Sequence, residues 1–407
     1  MIILLLLFFM NILERELEQV YKYILRGFWV WEKRFFRDFF PSLLQCKTGI
    51  MSHISQDTHK KKKKVCERNS HFLAWENFAK LPWKVEQRCF SLLWEIAQED
   101  YICIDEVDIA KPCAKVMQWI HKIHDSSQKR IVNGFLYHCV SIRGIPVIMQ
   151  QEDLRNKTKN EYFWKIILRL KKYTKWRGIL LLDAWYDAKS YIAFLTEQKL
   201  NFIIRAKRER TLYNKQWESL WKMKSFPEWI HEVYLKQADA SLTRVYLYVK
   251  QFDGYQEPMR IYSNTSDRDM REYQKRWEIE NIFKTMKQEY KMESIQAGSL
   301  QVMNNLVASI QMAVAFAHHL YGIQQEHQGK WVLKCGRYMQ TRWKQFHWRE
   351  WGKMNPNMYI RFLSEIVQSL YKNKRKRKYK KHINTHPPEV AQQRLFSMRQ
   401  LKKSGGI

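Results

Sequence analysis

Four side chains of one segment, Tyr273, Arg276, Glu280 and Lys287, sit at offsets of 0, 3, 7 and 14 residues. At 100° per residue a helix projects all four onto one stripe spread over about 60°. An aromatic ring, two cations and a carboxylate make a poor core face. Two readings stand for such a stripe. It is either an exposed surface held by the i,i+4 pair Arg276–Glu280, or a face that presents these groups to a ligand. Ile279, Ile282, Phe283 and Met286 supply a neighbouring apolar face, so the helix packs on something while the stripe stays available.

Two further acids follow short apolar runs. Asp105 closes Tyr-Ile-Cys-Ile-Asp and Asp183 closes Ile-Leu-Leu-Leu-Asp. In an α/β sheet, carboxylates at the carboxyl ends of strands point into the crevice where ligands bind. Singly, each is as well explained as a turn or helix cap. With Glu280 from a packed helix, the set would offer hard oxygen ligands for two Mg²⁺ ions, with Mn²⁺ able to substitute. Such a pair about 3.5–4 Å apart drives in-line phosphoryl transfer. Glu106 and Asp108 compete with Asp105 for the first place, and Asp187 competes with Asp183.

The elements that must hold these residues follow from periodicity. Residues 11–98 carry apolar side chains at helical spacing, broken by the lysine run Lys60–Lys64, which reads as a solvated loop. The first acid's strand is followed by paired strands over Phe135–Ser141 and Ile145–Gln150, turned at Arg143-Gly144. A helix over Asn160–Tyr173, the strand ending at Asp183, a helix over Ser190–Gln198 and a strand over Asn201–Ala206 complete a mixed α/β sheet. Three further strand-like segments, Val233–Leu235, Thr243–Val249 and Met259–Tyr262, form a β-rich insertion. Long helices are expected over Asp269–Tyr290 and Met303–Tyr321. The chain thus divides into a helical N-terminal DNA-binding region over 1–98, an α/β domain over 99–210 and 266–325, and the insertion over 211–265. A helical C-terminal region over 326–371 and a basic flexible tail over 372–407 follow.

Composition sets the class of partner. The 407 residues hold 71 Lys and Arg against 40 Asp and Glu, a formal charge of +31. So large an excess points to a polyanion, nucleic acid being the commonest, with the runs Lys60–Lys64 and Lys372–Lys381 as general phosphate contacts. The 45% hydrophobic content is ample for a packed core and excludes wholesale disorder. Seven cysteines without a CxxC pair suggest neither a disulfide framework nor a zinc ribbon, and fit a reducing cytosol. His121 and His124 read as surface histidines on a helix. The opening MIILLLLFFM falls short of the roughly 20 residues a bilayer span needs, and lacks the basic flank and cleavage site of a signal. It reads as a short buried helix or as sequence upstream of a true start at Met10, and no membrane partner is expected.

The segment YQKRWEIENIFKTMK resembles the Y-(2)-R-(3)-E-(6)-K signature of bacterial insertion-sequence DDE transposases, with every spacing kept. CIDEVDIAKPCAK resembles their first-acid segment and LLLDAWYDAKSYIAFLTEQKLNFIIRAK their second, so the match runs from about Tyr101 to Tyr290. Two departures, Ala184 where many relatives carry Arg and Val107 where Thr or Ser is common, remove no metal ligand. The resemblance implies an RNase H-like mixed sheet flanked by helices, with the β-rich insertion before the signature helix. It implies Asp105, Asp183 and Glu280 as the catalytic, metal-binding triad, and Tyr273, Arg276 and Lys287 as DNA-binding residues. It also suggests a tryptophan of the insertion, Trp217, Trp221 or Trp229, for stacking on a flipped base.

The expected function is a DNA transposase that cuts insertion-sequence ends and joins them to target DNA, by metal-dependent hydrolysis and transesterification. Its partners would be double-stranded DNA, as transposon ends and target, and a second copy in a homodimeric synaptic complex. It would work in the bacterial cytoplasm, at the nucleoid. A catalytically dead DNA-binding derivative and a structure-specific nuclease on the same fold are the alternatives.

Overall fold

The apolar run that begins at Tyr101 forms a strand longer than the sequence suggests. In the computed structural model, β1 spans Tyr101–Ala110, so Asp105 lies mid-strand instead of closing it. The structure describes residues 25–46, 62–93 and 100–326, apart from 115–117, 119, 126–128, 154–157, 176–177, 208–209, 217, 221–229, 237–241, 252–257 and 267–269. Residues 1–10, the C-terminal helical region beyond 326, the basic tail and the three insertion tryptophans lie outside the described residues.

Among the described residues, three α-helices precede the sheet: α1 (Val30–Cys46), α2 (Lys62–Ala74) and α3 (Leu81–Leu92). Helix α2 starts within the lysine run, at Lys62, where a loop was expected. Lysine is a good helix former, and Val65 and Leu73 bury this helix's apolar side. Phe28, Phe35, Phe36, Phe39, Phe72 and Phe78 pack edge-on, tilted or, for Phe35 and Phe39, stacked against one another and join α1 to α2.

Strand β2 (His121–Asp125) pairs with β3 (Arg130–Ile142), so the two histidines lie on a strand and not on a helix. An HxxH spacing suits either element, and pairing with β3 decides between them. β3 turns into β4 (Ile145–Gln151) through Arg143 and Gly144, both with positive φ, 51° and 71°. That two-residue, left-handed turn matches the twist of a hairpin. Helix α4 (Lys159–Thr174) opens on a reciprocal capping box between Thr158 and Glu161. β5 (Ile179–Leu182), α5 (Lys189–Glu197) and β6 (Asn201–Arg205) follow.

β1, β5 and β6 are parallel, while β3 runs antiparallel on the other side of β1 and carries β2 and β4 on its far edge. Three antiparallel strands leading into two parallel ones, with helices on the faces, is the RNase H-like mixed sheet that was expected. The insertion does not fold apart from it. β7 (Leu212–Tyr213), β8 (Ser219–Leu220), β9 (Ile230–Lys236), β10 (Leu242–Lys250) and β11 (Met259–Ser263) prolong the same sheet, because β11 pairs antiparallel with β6.

The helix expected over Asp269–Tyr290 is interrupted. It comprises α6 (Met270–Gln274), a tight turn at Lys275-Arg276, α7 (Trp277–Lys284) and a wider π turn over Thr285–Glu289. The last helix, α8 (Leu300–Glu326), is apolar nearly all round. Its window Leu300–His319 is long and apolar enough to cross a membrane, yet 89% of it is buried inside the protein. There Phe316 meets Phe40 of α1, and Asn305 donates to the Leu73 carbonyl of α2 at 2.7 Å.

Candidate active site

Parallel pairing sets Ile104 of β1 beside Leu182 of β5. The next residues, Asp105 and Asp183, are therefore neighbours one strand spacing apart, about 4.8 Å between backbones. β5 stops at this point, while β1 runs on for six more residues along β3 alone. A crevice opens where the parallel neighbour ends, with both aspartates at its mouth. Asp183 occupies the N-cap position of the turn Ala184–Tyr186, yet its side chain makes no capping bond. The turn-cap explanation of this residue therefore fails.

The sequence-adjacent acids separate by direction and by partner. Successive residues of a strand point to opposite faces. Glu106 lies opposite His138 in the β1–β3 register and pairs with Lys159 at 2.5 Å. Asp108 pairs with Lys287 at 3.0 Å. Asp187 is buried, accepting the Lys207 backbone N–H at 2.7 Å and the Arg210 guanidinium at 2.6 Å. Among these carboxylates, Asp105 and Asp183 are the two that face each other.

Arg276 joins the third acid to the first. Its Nη1 donates to Asp105 Oδ2 at 2.9 Å and its Nη2 donates to Glu280 Oε1. The i,i+4 pair of the exposed-stripe reading exists, but it is one half of a bridge into the crevice. Glu280 is half exposed, at 52% of its side-chain area. Glu278, two residues earlier, comes close to Gly144 and His318 at the hairpin turn and is no rival.

Burial pushes the Asp105 carboxyl up to about 6, against the opposing pull of Arg276, with the Asp183 charge raising it further. A carboxylate held so reluctantly ionised beside a second one calls for a cation. In this structure the Arg276 guanidinium serves as that cation. The donor set is all oxygen, from two strands and a helix, which suits a hard divalent ion. Asp105, Asp183 and Glu280 thus fit a divalent metal by chemistry and placement. The remaining signature residues lie differently. Lys287 is reached through the π turn and also approaches Glu293 at 3.4 Å. Tyr273 is 2% exposed and donates to the Leu182 carbonyl at 3.3 Å, so it pins the helix to the end of β5.

A model of the family described as transposase DDE domain matches residues 97–316, more than half of the chain. The chain belongs to this family. It is accordingly a DNA transposase, an enzyme of phosphodiester hydrolysis and transesterification. Comparison with curated proteins gave no significant match. One solved structure with a similar outline is a cryo-EM structure of a piggyBac transposase synaptic complex with hairpin DNA. The identity is 12% and the TM-score 0.40, over 86% of this chain and 76% of that one, too loose to bear on the site.

Two groups near the acids escape a sequence reading. On the Glu106 face, fully buried His138 and Glu152 lie against each other, and with Glu106 their ligand atoms lie within 4.8 Å of one another. The β1–β3 register, invisible until the strands are paired, brings them together. The other is Trp185, two residues past Asp183 and 55% exposed. Its signal was an aromatic in a turn flanked by acids, hidden among 17 tryptophans.

Proposed function

We propose that this transposase is of the bacterial insertion-sequence type carrying the Tyr-Arg-Glu-Lys signature, with Asp105, Asp183 and Glu280 as its metal-binding acids. The observation that carries the reading is the Arg276 bridge between Asp105 and Glu280 beside Asp183. Bound there, two Mg²⁺ or Mn²⁺ ions would activate the attacking oxygen and stabilise the leaving one. Arg276, now paired with Asp105 and Glu280, and Lys287, now paired with Asp108 and Glu293, would exchange those carboxylates for phosphate oxygens of the transposon end. Tyr273, committed to the Leu182 carbonyl, holds the signature helix in register with Asp183 and so places the other two. The partners proposed are transposon-end and target duplexes, held by two copies of the chain in a synaptic complex in the bacterial cytoplasm.

The test is strand transfer on DNA carrying the repeats that flank the gene, with Mg²⁺ or Mn²⁺ supplied. Glu280→Gln is expected to lower it by about two orders of magnitude or more, matching the loss of several kcal/mol of charge stabilisation. Unchanged strand transfer in that variant would exclude the mechanism.

A further inference from the structure

We infer that Glu106, His138 and Glu152 form a second metal site, separate from the acid triad, which takes a structural divalent transition metal of zinc's class. The inference does not depend on the transposase reading, and it concerns the opposite face of the same sheet.

Strand register assembles the three donors. Glu106 of β1 and His138 of β3 stand directly opposite in the antiparallel pair, so their side chains leave one face as neighbours. Past the end of β4 the Glu152 N–H donates to the Leu136 carbonyl at 2.9 Å, which carries the β3–β4 pairing one step further. Leu136 and His138 share a face of β3, so Glu152 joins His138 there. Asp105, one residue before Glu106, points the other way. The donor atoms of the three side chains lie within 4.8 Å of one another. Metal bonds of about 2.0–2.2 Å to imidazole nitrogen and carboxylate oxygen draw such donors together by side-chain adjustment alone.

The polar atoms of this cluster are poorly served by the protein. His138 and Glu152 are fully buried, and among the described residues neither ring nitrogen and neither carboxylate oxygen makes a hydrogen bond. Glu106 gives Oε2 to Lys159 at 2.5 Å, while its Oε1 is buried without a hydrogen bond. The buried Tyr186 hydroxyl also lacks one. Burial, then the Glu106 charge, raises that hydroxyl well above its ordinary range, and Glu152 adds to the shift, so Tyr186 faces the same cluster. Buried polar groups are normally hydrogen-bonded, and several orphans in one place call for a shared partner. A proton on His138 would serve one carboxylate only. Lys159 likewise answers Glu106 and not Glu152. A divalent cation serves both carboxylates and the imidazole at once. One imidazole with two carboxylates suits Zn²⁺, whereas Mg²⁺ prefers oxygen donors and keeps its waters. A site so closed is loaded as the chain folds, and it ties β1, β3 and the end of β4 together behind Asp105.

The test measures zinc retained by the full chain. Wild type, the triad variant Asp105→Asn/Glu280→Gln, His138→Gln and Glu152→Gln are expressed with added Zn²⁺, passed through EDTA at pH 7 and assayed by elemental mass spectrometry. Wild type and the triad variant should keep about one zinc per chain, and both site variants should lose it. Circular dichroism identifies the folded samples. Should the site variants fail to fold, Co²⁺ loaded into the triad variant gives the second reading. A visible spectrum of nitrogen and oxygen ligation supports the site, and a colourless or thiolate-type product overturns it. Folded wild type without zinc would leave His138 and Glu152 as a proton-sharing pair and refute the site. Zinc kept by a folded His138→Gln chain, or lost by the triad variant, would refute it too. None of these outcomes touches the transposase reading, which strand transfer tests.

Discussion

Burial works against the ionisation of Asp105. In the metal-free protein burial holds its carboxyl at about 6, above the usual 3.8, so the folded state binds this proton more tightly than the unfolded chain does. Folding stability must then fall as pH rises from about 4 to about 6, and the full penalty applies above that. Asp105→Asn removes the penalty. In EDTA at pH 7 the variant should melt above wild type, by up to about 3 kcal/mol, with the difference vanishing near pH 4. Adding Mg²⁺ should raise the wild-type melting temperature and leave the variant's unmoved. Thermal melts with and without metal check both. In the sequence, type and spacing offered these acids as candidates, with Glu106, Asp108 and Asp187 as competitors. What sequence could not show was which of Asp105, Glu106 and Asp108 faces Asp183. That depends on strand direction and on the cations that claim Glu106 and Asp108, and Lys159 and Lys287 are remote in the chain.

At the scale of elements, the hairpin β3–β4 shows how a turn far from the acids supports their helix. Gly144 has φ +71°, and a Cβ there would lie 3.5 Å from Glu278 Oε2 of α7 and from His318 Nδ1 of α8. Space exists for a methyl group, so the cost of Gly144→Ala is conformational, about 1–2 kcal/mol for a left-handed residue. A lowered denaturant midpoint with an unchanged slope is the expected result. Gly178, with φ +100°, is tighter: a Cβ would come within 2.9 Å of the Asp100 carbonyl, so alanine there should cost more than at Gly144. Periodicity placed nearly every element, because apolar faces are local. It missed the break at Lys275-Arg276 and the π turn at Thr285–Glu289, which arise where the helix follows the end of β5 and the overhang of β1. It also set the insertion over 211–265 apart from the α/β domain, since pairing of β11 with β6 involves residues some 60 positions apart.

For the whole molecule, the decisive element is α8. It packs against the sheet, where Gln311 donates to the Pro146 carbonyl at 3.2 Å and Asn304 accepts from Tyr137 at 2.8 Å. It also meets the N-terminal helices, through Leu73 and Phe40. A chain begun at residue 100 would bare a stripe of α8 that includes Asn305 and Phe316. It should come out aggregated in size-exclusion chromatography, where the full chain elutes as a discrete species. This arrangement also bears on how such proteins diversify. If end recognition resides in the first hundred residues, it cannot be traded between relatives by swapping a head at a linker. The exchange would have to carry α8 along, or rebuild a seam from both sides at once. New DNA preferences should therefore arise by substitution on exposed helix faces, and chimaeras joined near residue 100 should mostly fail to fold.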